Sequence, residues 1–124
     1  MNQQKFRNFD LLTFSYPFTA IISILHRISG VFLFLLIPFL LWMLETATTS
    51  PDGFTYIVAI LTNPFAKLIL WFFLVAFWYH LLAGIRHLLM DVGIGESLKN
   101  ARFSGGVILA FTLIVALFIG SWLW

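Results

Sequence analysis

Two short polar constellations interrupt an otherwise apolar chain of 124 residues: Ser23-Ile-Leu-His26-Arg27-Ile-Ser29-Gly30 and His80-Leu-Leu-Ala-Gly84-Ile-Arg86-His87-Leu-Leu-Met90-Asp91. Between them they hold all three histidines and two of the seven Lys and Arg residues. An ionisable group in or beside hydrocarbon costs about 2.5–3.5 kcal/mol on insertion scales, so each needs a partner or a task. The chemistry of this chain is therefore sought in these two patches.

In the second patch, His80, Gly84, His87 and Asp91 recur at helical spacing, which keeps them within roughly 60° of one helix face. One side then carries imidazole, a gap, imidazole and carboxylate. Gly84 leaves a notch one turn from His80, where a flat porphyrin can approach the backbone. Neutral imidazole is an ordinary axial ligand of haem iron, and a bis-imidazole site suits electron transfer because no position stays open. Read this way, His80 ligates a b-type haem from within a helix bundle. The plainer reading has His80 hydrogen-bonded to a neighbouring helix, with Gly84 serving close packing. Arg86 and His87 lie nearer the helix end, where anchoring among lipid headgroups is the plainer alternative, and for His87 it is the expected one.

In the first patch, Ser23 and Arg27 are one helical turn apart and hence neighbours. A hydroxyl beside a guanidinium at the membrane boundary can hold a quinone carbonyl and stabilise charge as it is reduced, because Arg carries permanent charge and several donors. His26 lies about 60° around the helix and can face a haem propionate. The alternative is that Arg27 snorkels to phosphate headgroups and Ser23 caps the helix.

The surrounding chain is membrane material. It is 61% hydrophobic and 10% charged, too little polar residue for the surface of a soluble domain of this length. It contains no cysteine, which excludes a disulfide framework and thiolate-held metal or iron–sulfur centres within this chain. The basic residues form no continuous stripe, so a nucleic-acid partner finds no surface. Their placement does carry topology. Lys5, Arg7 and Arg27 flank the first apolar stretch, and Arg86, Lys99 and Arg102 lie between the second and third. The connection from Thr46 to Pro64 holds neither Lys nor Arg. The positive-inside rule then places the N-terminus and second loop in the cytoplasm. Residues 1–19 show neither the order of a cleavable signal peptide nor an Arg- and Ser-rich presequence, which points to a multi-pass protein of a bacterial inner membrane.

Three transmembrane helices are expected, at about 23–45, 65–90 and 103–124, in a single all-α domain covering 1–124. Pro38 should kink the first. Thr46–Gly53 reads as a loop, and Phe54–Leu61 as a short interfacial helical segment. Asn63 is a plausible cap for the second span, with Pro64 at its first position. Asp91-Val-Gly-Ile-Gly95 ends it. Trp122 and Trp124 suit an interfacial aromatic belt.

Taken together, Ser23-x-x-His26-Arg27-x-Ser29-Gly30 and His80-x-x-x-Gly84-Ile-Arg86-His87-x-x-Met90-Asp91-x-Gly93 closely resemble the cytochrome b subunit of succinate dehydrogenase, one of two membrane anchors of complex II. The likeness covers nearly the whole chain. It departs at the N-terminus, where Asp10–Pro17 lacks the Arg-Pro pair that many members carry. The resemblance implies that His80 is an axial ligand of haem b, with the second axial histidine supplied by the second anchor subunit. It places His26 and Arg27 at the haem propionates, Ser23 and Arg27 at the quinone, and Asp91 on a proton path from the cytoplasm. It also implies an iron–sulfur subunit and a flavoprotein subunit as partners, succinate chemistry belonging to the latter. Two readings of another kind compete: a self-contained transmembrane cytochrome, and a non-redox anchor.

Overall fold

Hydrocarbon offers backbone groups no hydrogen bonds, so a chain this apolar must satisfy them internally, and helices do so within a single segment. The computed structural model describes residues 17–124. These form four helices: α1 (Pro17–Thr49), α2 (Pro51–Thr62), α3 (Pro64–Asp91) and α4 (Leu98–Leu123). Three are long and apolar enough to cross a membrane, over Phe18–Thr49, Pro64–Asp91 and Leu98–Leu123. At about 1.5 Å per residue even α4 exceeds the roughly 30 Å of a hydrocarbon core. Lys5, Arg7 and the segment before Pro17 lie outside the described residues.

The expected spans are present, with longer bounds. The first helix starts more than a turn before Ser23 and continues unbroken through Pro38 to Thr49, so the whole Ser23–Gly30 patch is helical. The expected loop over Thr46–Gly53 shrinks to Ser50 alone. Ser50 accepts from the amide of Gly53 at 3.0 Å, Pro51 occupies the first turn, and Asp52 adds negative charge there. Cap, proline and first-turn carboxylate together start α2 immediately. A β-carbon at Gly53 would collide with the carbonyl of Thr46, so this tight turn requires glycine.

Asn63 caps α3 as its position predicts, its side chain accepting from the amide of Phe65 at 2.9 Å with Pro64 following. At the other end Gly93 has φ +85°. Its amide donates to Met90, and that of Ile94 donates to Leu89, the paired bonds of a Schellman ending. Ser97 caps α4.

Helix α3 is the middle of the assembly, packed on α1 on one side and α4 on the other. Its buried side chains Tyr79, Ala83 and Arg86 fall at intervals of one and two turns and form one stripe. Tyr79 donates to the carbonyl of Ile22 at 2.7 Å, and Trp71 donates to that of Ala116 at 2.8 Å. Lys67 reaches the Leu123 carbonyl at 3.0 Å, placing its cation at the negative end of α4. Most large apolar side chains of the spans, Phe34, Leu35 and Phe118 among them, face outward.

Arg86 turns inward, not to the anchoring alternative. It is 6% exposed and does not reach headgroups. Its Nε donates to Ser104 Oγ at 2.9 Å and an Nη to the Ala101 carbonyl at 3.1 Å, both in the first turns of α4. Arg86 sits roughly 120° around the helix from His80, on the stripe that meets α4. Bonds to a charged donor are worth about 1.5–3 kcal/mol each. Arg86→Met should therefore lower the stability of the α3–α4 pair by about that amount, measured by denaturation in detergent, with Arg86→Lys losing less.

Candidate functional site

The three histidines, from two helices, form one stack. The ring of His26 on α1 lies against that of His80 on α3, with centroids 4.1 Å apart and planes within 10°. On its other side His26 stacks on His87, at 5.1 Å and 20°. Seven residues of α3 rise about 10.5 Å, so His80 and His87 bound a slot one ring wide. Gly84 is its floor. A β-carbon there would stand 3.3 Å from Nε2 of His26, closer than ordinary van der Waals contact. The notch that the sequence offers to a porphyrin is thus filled by an imidazole of the same chain.

A second glycine makes room for His80. A β-carbon at Gly30 would lie 2.9 Å from its Cε1, too close for any real side chain. Backbone approach of this kind is the usual function of small residues between membrane helices.

The hydrogen bonds fix the tautomer of His80. Its Nδ1 lies 3.1 Å from the carbonyl of His26, which can only accept, and 3.0 Å from Ser29 Oγ. The Ser29 hydroxyl proton is already directed at the His26 carbonyl, at 2.8 Å. Nδ1 therefore carries the hydrogen, and Nε2 keeps its lone pair. His87 is held in the same way, its Nδ1 donating to the Ala83 carbonyl at 2.7 Å. His26 differs: its Nε2 is buried with no partner among the described residues, a condition shared only by Thr112 Oγ1. Such an atom costs about 1–3 kcal/mol unless something else supplies its bond.

Among the described residues, no group of three or more His, Cys, Asp or Glu side chains is arranged to hold a free metal ion. Stacked rings present faces to one another rather than nitrogens to a common point. His80 Nε2, by contrast, is left with a free lone pair.

Of the other candidate residues, Ser23 is half-buried and Arg27 exposed on α1, one turn apart. Asp91 is exposed as the last residue of α3. All three stand outside the imidazole stack. Sequence reasoning assigned no role to Ser29, although it lies one turn from His26 beside the glycine that admits His80.

Comparison with known proteins identifies the family. The profile of the succinate dehydrogenase/fumarate reductase transmembrane subunit family matches residues 1–119. The chain belongs to this family. Relatives named succinate dehydrogenase cytochrome b556 subunit include one from Coxiella burnetii, 41% identical with both chains fully covered. Another, from Paracoccus denitrificans, is 36% identical over 86% of this chain and 82% of its own. A cytochrome b560 subunit from Porphyra purpurea is 36% identical over 81% of this chain and 82% of its own.

The close approach at Gly30 is directly testable. Gly30→Val should displace the His80 ring and destabilise the α1–α3 pair by about 1–3 kcal/mol, the usual cost of overpacking. Gly106, where a β-carbon meets nothing within 4 Å, provides the control. Gly106→Val should leave the thermal midpoint in detergent unchanged.

Proposed function

We propose that this chain is a membrane-anchor subunit of a succinate:quinone oxidoreductase that holds haem b through His80 and contributes Ser23 and Arg27 to the quinone site. The observation that carries this reading is the orientation of His80. Its Nδ1–H is bound by two oxygens of α1, which leaves Nε2 unprotonated and free to ligate. Two further features fit the same group. His26 lies on the turn of α1 that approaches His80, and Arg27 supplies an exposed guanidinium one residue further on, suited to a propionate oxygen.

Bound there, haem b supplies a one-electron carrier beside the quinone. The residues of this chain do the rest by binding and orientation. His80 fixes the ligand direction, while His26 and Arg27 hold carboxylates. At the quinone, the Ser23 hydroxyl and the Arg27 guanidinium donate to a carbonyl oxygen. Their bonds strengthen as negative charge develops on that oxygen, which favours reduction. Arg27 keeps its proton at any working pH, so it stabilises charge and does not protonate the product. Reduction to quinol consumes two electrons and two protons, and Asp91, exposed at the same end of the bundle, takes protons from the cytoplasmic side. Electrons arrive from a flavoprotein subunit through an iron–sulfur subunit, both docked on that face.

The charge pattern supports this topology. Arg27, Arg86, Lys99 and Arg102 lie at one end of the helices, whereas Glu45 and Asp52 lie at the other with Lys67. The first end is then cytoplasmic, and the bacterial sources of two relatives support an inner membrane. A second anchor subunit supplies the opposite axial histidine. Parallel rings in contact at 4.1 Å leave no space for a porphyrin between His26 and His80. That contact disfavours the self-contained cytochrome.

Two measurements on the purified complex test the reading. His80→Ala should abolish the haem b signal in a reduced-minus-oxidised spectrum, and its full retention would exclude His80 as ligand. Arg27→Ala should lower succinate:quinone turnover about 10- to 100-fold, the loss of one charge-assisted hydrogen bond. Succinate oxidation by a soluble acceptor should survive. Equal loss of both activities would indicate failed assembly, and loss of neither would remove Arg27 from the quinone site.

A further inference from the structure

We propose that Ser29 is a positioning residue for the haem ligand: its hydroxyl, together with the His26 carbonyl, holds His80 in the Nδ1–H tautomer and strengthens Nε2 as a donor to iron. This rests on the assignment of His80 as the ligand. Ser29 is a poor candidate for a merely tolerated serine. It is 7% exposed, within the membrane-spanning length of α1. A helical serine satisfies itself by donating to a carbonyl one turn back, and Ser29 already does so, to His26 at 2.8 Å. That bond turns its lone pairs outward, and one faces Nδ1 of His80 at 3.0 Å, across 51 positions of sequence. Only glycine at position 30 lets the ring come close enough.

An acceptor on the distal N–H of a ligating imidazole pulls that proton and enriches the ring in electrons, which raises its basicity as a ligand. A stronger donor favours ferric over ferrous iron, so the acceptor pair lowers the midpoint potential of the haem. Both acceptors belong to the turn of α1 that also carries Arg27. The ligand is thus referenced to the quinone-side helix rather than to its own, and that turn sets the ring's orientation and its donor strength together.

The test is a Ser29 series in the intact purified complex, read by potentiometric titration of haem b and by the g-values of its ferric EPR signal. Ser29→Ala deletes the acceptor and should move the potential upward, with altered g-values. Ser29→Cys, a weaker acceptor, should shift it less, and Ser29→Thr, which keeps the hydroxyl, should restore the wild-type value. If Ser29→Ala does not assemble with haem, the Cys and Thr variants decide alone. A potential that is the same in the Cys, Thr and wild-type proteins overturns the proposal, because a hydroxyl that only packs would leave it unmoved. Failure of the parent assignment is separately visible, as full haem retention in His80→Ala.

Discussion

The structure depends on how α3 disposes of its side-chain donors. In water, apolar faces drive helices together, but lipid tails are as apolar as leucine and supply no such force. What hydrocarbon penalises instead is an unpaired donor. Helix α3 carries five donor side chains that end on another helix: Lys67 on Leu123, Trp71 on Ala116, Tyr79 on Ile22, His80 on His26, and Arg86 on Ala101 and Ser104. Each ends on a backbone carbonyl of the neighbouring helix, and Arg86 on a hydroxyl as well. Two land on α1 and three on α4. The middle helix is thereby fixed in rotation and in height against both neighbours, at points spread along its whole length.

Small residues make these contacts reachable. Gly30 admits His80 and Gly84 admits His26, so each helix gives up a side chain where the other inserts an imidazole. Gly105 plays the same part between α4 and α1, where a β-carbon would stand 3.1 Å from Phe18 Cε1 and 3.2 Å from Ile22 Cγ1. The imidazole stack is thus a consequence of backbone proximity and not only of ring–ring attraction. Two α3 histidines separated by seven residues leave a slot, and the glycine between them lets one foreign ring reach its bottom.

The spans were legible because length and hydropathy alone define them, and the α3 start because Asn63-Pro64 is an unambiguous cap. The second helix was less so. Ser50-Pro51-Asp52 is an equally good start signal, but its turn-forming residues also read as a loop. For the site, the period of α3 correctly put His80, Gly84 and His87 on one face. It could not say that the notch at Gly84 would receive His26, because periodicity orders residues within a helix and not between helices. The partner of Arg86 was hidden for the same reason. A cation near a helix end is usually solvated, and only its common stripe with Tyr79 and Ala83 marks it as turned toward α4. Ser29 went unassigned because a lone hydroxyl in an apolar run is ordinarily satisfied by its own helix.

The remaining polar geometry bears on what this chain lacks. In the stack, His26 has both faces covered, and His80 and His87 each have one face covered by His26. His80 and His87 have also committed Nδ1 to oxygens of the protein. No second histidine of this chain is therefore placed to oppose His80 across a flat ligand, and two in-contact rings cannot be its two axial ligands. On the proposed reading, a bis-imidazole haem must take its other ligand from a neighbouring chain. The outward apolar surfaces of α1 and α3 are consistent with such a neighbour. Cofactor and partner are then one requirement: the contact that completes the iron's coordination also covers the helix faces this chain leaves bare.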